Sequence, residues 1–225
     1  MKSSKSEQNS IENTNASSPY RSCLYSLILK IPVLGEILRI ANAYVYDGDL
    51  ASDTEFAPLS LWIRKHYKNF LIVITLTVIS APHIWFSSSI IQHLSAISSV
   101  DHRPMPGDLI INIFPSVLGF GIGVYALIFG LSSILIKRLH ESLDAGKKNG
   151  KAKTGSVLML NADMAYPLLV LTLSLGIGVL QQIFPNSQVF ELVAWFALWY
   201  SMLMVIEILT VLFGLGENEL LNKLD

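Results

Sequence analysis

Charge is scarce in this chain, and cysteine is nearly absent. Asp, Glu, Lys and Arg make up 15% of the 225 residues, well below the ~25% usual for a soluble domain. Net charge is −1, so no basic excess argues for nucleic acid. A single cysteine, Cys23, excludes an intramolecular disulfide and offers no thiolate cluster for zinc or iron–sulfur chemistry. The first 20 residues, Met1 to Tyr20, are polar and lack the apolar core of a signal peptide. They are expected to form a disordered tail, which leaves membrane insertion to the first true span. Asn15-Ala16-Ser17 matches a glycosylation sequon, but a cytosolic tail would leave it unused. No complete catalytic or cofactor motif is present, so no enzyme, cofactor or metal centre is expected.

Charge is missing altogether between Asp108 and Lys137, where Leu109 to Ile136 forms a run of 28 residues. A helix rises ~1.5 Å per residue and a bilayer core is ~30 Å thick, so about 20 apolar residues span it. Four stretches qualify, about residues 70–92, 110–136, 165–184 and 189–213. The fold expected is therefore all-α: a polytopic membrane protein whose four-helix domain occupies residues 69–216. Residues 21–68 precede it as a cytosolic or interfacial helical segment, and residues 217–225 follow as a cytosolic tail.

Within that segment, Val33, Leu34, Ile37, Leu38 and Ala41 recur at helical spacing, with Glu36 and Arg39 off the stripe. This predicts an amphipathic helix, lying in the membrane interface or packed on the protein's own cytosolic face. Asp47-Gly48-Asp49 ends it as a turn, and Pro58 suits the first turn of the next helix. Trp62, Arg64, Lys65, His66, Tyr67 and Lys68 make an aromatic and basic anchor ahead of span one. Fifteen Lys and Arg residues flank one side of the four spans, and only Arg103 the other. Both termini and the loop between spans two and three are therefore expected in the cytosol. Lys147, Lys148, Lys151 and Lys153 in that loop are candidates for anionic lipid, at ~1 kcal/mol per residue near the surface.

Glu207, between Ile206 and Ile208 in span four, is the sharpest candidate for chemistry. An ionisable group there costs ~2.5–3.5 kcal/mol on insertion scales, so it must face the bundle interior or water. It is either a proton or cation site or a structural acid bonded between helices; depth matching offers Thr75, Ser132, Ser133 and Thr172 as partners. His83, after the kink-forming Pro82 in span one, is a second proton-relay candidate, with Tyr125 at a similar depth. Gly119, Gly123, Ala126, Gly130 and Ser133 step by 4, 3, 4 and 3 along span two. Such a seam of small residues, joined by Ser174 and Gly178 at the same spacing in span three, lets helices approach closely, within the bundle or between copies. Gly121, Gly123 and Ala126 also fit a dinucleotide signature, but inside a span that motif lacks its strand. Pro115 near the start of span two is a candidate break, and Asp101, His102, Asp108 and Glu191 scatter toward the outer side. Trp195, Trp199 and Tyr200 are expected to be lipid-facing or packing aromatics. The function expected is a non-enzymatic module acting through helix assembly, as a homo-oligomer or with a membrane partner. The rival is an oligomeric channel or proton-coupled transporter using Glu207.

Overall fold

The computed structural model describes residues 25, 27–81, 84, 105–130 and 157–224. Five helices follow in chain order: α1 Leu34–Val45, α2 Leu59–Ser80, α3 Pro106–Phe129, α4 Val157–Ile183 and α5 Gln188–Leu224. No strand occurs among the described residues. Among the described residues three helices are long and apolar enough to cross a membrane, over Pro106–Leu127, Leu158–Ile183 and Gln188–Glu217. The remainder of span one beyond Ser80, apart from Ala81 and Ile84, lies outside the described residues, as do the tail Met1–Tyr20 and the lysine loop.

α4 and α5 form an antiparallel hairpin closed by Phe184 to Ser187. Each face of that hairpin carries its own core. On one face Ile110 and Phe114 of α3 pack with Met164 and Leu171 of α4 and with Ala194, Ala197 and Leu198 of α5. On the other, Tyr44 of α1 and Val73 of α2 pack with Tyr166, Val170, Tyr200 and Met204. Ser174 and Ser201 share a hydrogen bond of 2.6 Å inside the hairpin, which a pair of buried hydroxyls needs where no water reaches them.

α3 runs antiparallel to α4, and the two helices come close at Gly107 and Gly178. A Cβ at Gly178 would stand 2.9 Å from Ile110 Cγ2, and one at Gly107 would stand 2.9 Å from the Gly178 carbonyl oxygen. The expected seam is elsewhere. Gly119, Gly123, Ala126 and Gly130 are all exposed, and a Cβ at Gly119 or Gly123 meets nothing within 4 Å among the described residues. Its neighbour Val124, one position off the seam, packs against the α3–α4–α5 core instead. The helical phase puts core residues and seam on different faces. Pro115 does not break α3, which continues through it, and Pro167 sits inside α4 in the same way.

α1 is docked on the protein rather than standing alone. Its connection to α2 is organised by Asn42, which is fully buried. The Asn42 amide donates to the carbonyls of Ser52 and Glu55, both at 2.8 Å, and its oxygen accepts from Ala57 N at 2.8 Å. One side chain thus satisfies backbone groups of the 3-10 turn Leu50–Asp53 and of the link after it. Before α1, Val33 adopts φ 69°, ψ −57°, and Leu34 N bonds to the Pro32 carbonyl. That is a γ-turn, strained for a β-branched residue.

Candidate polar and aromatic site around Glu207

Three helices bring one stripe each to a common point. Asp163, Tyr166 and Val170 follow one another on α4; Tyr200, Met204 and Glu207 on α5; His66, Phe70 and Val73 on α2. α1 closes the group with Tyr44, which is 1% exposed. Helical spacing of three and four residues puts each triple on one face.

Glu207 finds its partner in α1. The Tyr44 hydroxyl donates to Glu207 Oε1 at 2.5 Å, across 163 positions of sequence. The Tyr44 ring stacks on Tyr166 with centroids 4.1 Å apart, and the Lys65 ammonium lies over the Tyr44 ring, 4.4 Å from its centroid. Lys65 also pairs with Asp47 at 2.5 Å. Burial first, and the Glu207 carboxylate second, push the Tyr44 phenol well above its usual range. Tyr44 therefore stays protonated and keeps its donor.

A second hydrogen-bonded chain runs beside the first. The Tyr166 and Tyr200 hydroxyls are 2.9 Å apart, and Tyr200 bonds His66 Nδ1 at 3.0 Å. His66 is 3% exposed and ringed by Trp62, Phe70, Tyr44, Tyr166 and Tyr200 at centroid distances of 5.6 to 6.5 Å. It lies before the apolar half of α2. Burial, and then the neighbouring Lys65 ammonium, hold its imidazole down to about 4, so it is neutral at pH 7. Among the described residues its Nε2 has no hydrogen-bond partner, and neither has Asp163 Oδ1.

The other expected contacts fall out differently. Thr75 and Thr172 bond the carbonyls of Leu71 and Leu168 in their own helices, not Glu207. Tyr125 donates to Asn161 Oδ1 at 2.7 Å. His83, Pro82, Ser132, Ser133, Asp101, His102 and the four loop lysines lie outside the described residues. Asp108 accepts from Gln182 at 2.9 Å, at the far end of α3 from Tyr125. Trp199 donates to Ser80, and Tyr200 is a buried packing aromatic that also joins the polar cluster, in line with the packing role expected as one of its two readings.

Sequence reasoning missed Tyr44, His66, Asp163, Tyr166 and Tyr200 as one group. A signal for part of it exists: α4 begins at Val157, two turns ahead of the expected span, and so carries Asp163 on the same face as Tyr166. Among the described residues no group of three His, Cys, Asp or Glu side chains is placed to hold a metal. The arrangement can tie α1 to the hairpin through a phenol–carboxyl hydrogen bond and seal the space behind it with rings. No family model matches this chain, and no curated protein or solved structure matches it either.

Proposed function

We propose that the chain is a four-span membrane module, with both termini in the cytosol, that works without catalysis through helix assembly or a partner protein. Three apolar helices support the membrane location. The apolar second half of α2, Phe70 to Ser80, supports a fourth span continuing toward residue 92. α1 then lies at the cytosolic boundary, with Leu34 50% exposed on its outer side and Tyr44 buried against the hairpin.

The observation that carries this reading is the Tyr44–Glu207 hydrogen bond. The acid within the apolar part of α5 is engaged by a phenol, which suits a structural tie between α1 and the spans. The exposed small residues Gly119, Gly123 and Ala126 add a face on which a second helix can seat closely. Affinity purification of the full chain from native membranes, with cross-linking before extraction, tests it. A reproducible homo-oligomer or membrane partner that is weakened by Gly123→Leu is the expected result. A monomer with no partner would overturn it.

One observation favours the rival, a channel or proton-coupled transporter. Asp163 and Glu207 come from adjacent helices into one electrostatic neighbourhood with Lys65 and Asp47. In liposomes, ion or proton flux that disappears in Glu207→Gln and persists in Glu217→Gln would establish that rival.

A further inference from the structure

A groove of about 310 Å³ opens between α1, the 3-10 turn and the first turns of α4. Its composition is mixed in an ordered way. Glu36, Asp49 and Asp53 face it together with Arg39, so three carboxylates meet one guanidinium and two negative charges remain. The Arg39 pairs are long, 3.9 Å to Glu36 and 3.6 Å to Asp53. A guanidinium carries five N–H donors, so Arg39 keeps donors for a further oxygen ligand. The rim holds two exposed leucines, Leu50 at 70% and Leu158 at 46%. Acids alone would be an ordinary solvated surface; acids beside exposed leucines fit an amphiphile.

The groove is also shaped by a backbone contact. Gly48, at φ +73°, presses against the backbone of Leu158 and Met159, where any Cβ would collide. The Asp47-Gly48-Asp49 turn is thereby held against α4 at the residue where its apolar stretch, Leu158–Ile183, begins. On the four-span reading that level is the headgroup layer, so this inference rests on the membrane location.

We propose that this groove binds an amine phospholipid from the surrounding leaflet. Its primary ammonium sits among Glu36, Asp49 and Asp53, its phosphate takes the spare N–H groups of Arg39, and its chains leave over Leu50 and Leu158. The net charge of the groove selects an ammonium over a purely anionic headgroup, and a primary ammonium can donate three hydrogen bonds to carboxylates where a quaternary one donates none.

The test begins with alkaline carbonate washing of membranes holding the full chain. Release into the wash would overturn the membrane location, and the lipid source with it. The retained protein is then placed in phosphatidylcholine nanodiscs doped with phosphatidylethanolamine or phosphatidylglycerol, and lipid adducts are counted by native mass spectrometry. The expected result is an ethanolamine-lipid adduct reduced at least tenfold in Glu36→Gln/Asp53→Asn and unchanged in Glu217→Gln. Glu36 and Asp53 are surface side chains, so the double variant keeps the fold; an unchanged melting temperature verifies this. Equal retention of the two dopants, or retention indifferent to the double variant, would overturn the proposal. Soluble phosphoethanolamine is the third probe: adducts with it but not with the lipid would overturn the lipid as the occupant.

Discussion

At the residue scale the sharpest object is the Tyr44–Glu207 pair. Tyr44→Phe removes the donor and leaves a carboxylate facing rings, so stability should fall by about 1–3 kcal/mol. Glu207→Gln keeps an acceptor oxygen for the same hydroxyl and should cost less. Melting curves of both single variants and the double variant in one detergent measure the coupling between them. Tyr44→Phe melting like wild type would show that the tie does not hold α1 in place. His66 gives a prediction with a sign. Its folded value is lowered from the ordinary 6.5 to about 4, so the unfolded state binds the proton more tightly. The stability contributed by burying neutral His66 is complete above about 6.5 and is lost as pH falls toward 4. The melting temperature should therefore drop between pH 7 and pH 5, and the drop should shrink in His66→Phe. An identical slope in the two proteins would remove His66 as the titrating group.

At the element scale, the contact between α3 and α4 can be separated from the exposed stripe on α3. Gly178→Ala places a methyl 2.9 Å from Ile110 Cγ2 in a fully buried site and should cost about 1–3 kcal/mol through overpacking. Gly123→Ala meets nothing among the described residues, and a helix interior prefers Ala to Gly by about 1 kcal/mol, so the monomer should melt no lower than wild type. Thermal denaturation of the two variants side by side is the check; a larger loss for Gly123→Ala would put the close crossing on the other face. This is also where the sequence was least legible. Apolar length marked the three membrane-length helices, since lack of charge over 20 residues needs no tertiary context. Spacing found the small-residue stripe on α3 and also Gly178 on α4, but could not say which face of α3 meets α4, because Gly107 lies off the stripe. The face that α1 buries, with Gly35, Asn42, Tyr44 and Val45, is not the expected stripe, whose Val33 and Leu34 are exposed, and the Tyr44 contact was not visible either. A phenol and a carboxylate 163 positions apart carry no local pattern, and depth matching within the spans never considered a helix outside them.

At the scale of the whole molecule, the two cores on opposite faces of the α4–α5 hairpin make α1 part of the fold rather than an appendage. Tyr44 belongs to the same buried cluster as Val73, Met204 and Tyr200, so α1 and Glu207 must lie on the same side of whatever membrane the hairpin crosses. That links orientation to a contact. Glu207 is 19 positions past the start of α5 at Gln188, about 28 Å at 1.5 Å per residue, and so lies near the end of the span remote from the Phe184–Ser187 turn. On the proposed orientation, which rests on the Lys and Arg distribution, that remote end faces the cytosol. Hence the α1 segment, residue 225 and the lysine loop should all be cytosolic, and the Phe184–Ser187 turn should be on the far side. Single cysteines in a Cys23→Ser background, at Ser187 and at Glu217, report it through a membrane-impermeant maleimide applied to intact cells. Ser187→Cys should label and Glu217→Cys should not until the membrane is opened. Labelling of Glu217→Cys alone in intact cells would invert the protein, and labelling of neither position or of both would break the link between the hairpin and a single crossing on each side. A matching pair, Arg39→Cys on α1 and Glu217→Cys on α5, must then behave alike, because the Tyr44–Glu207 bond cannot form across a bilayer.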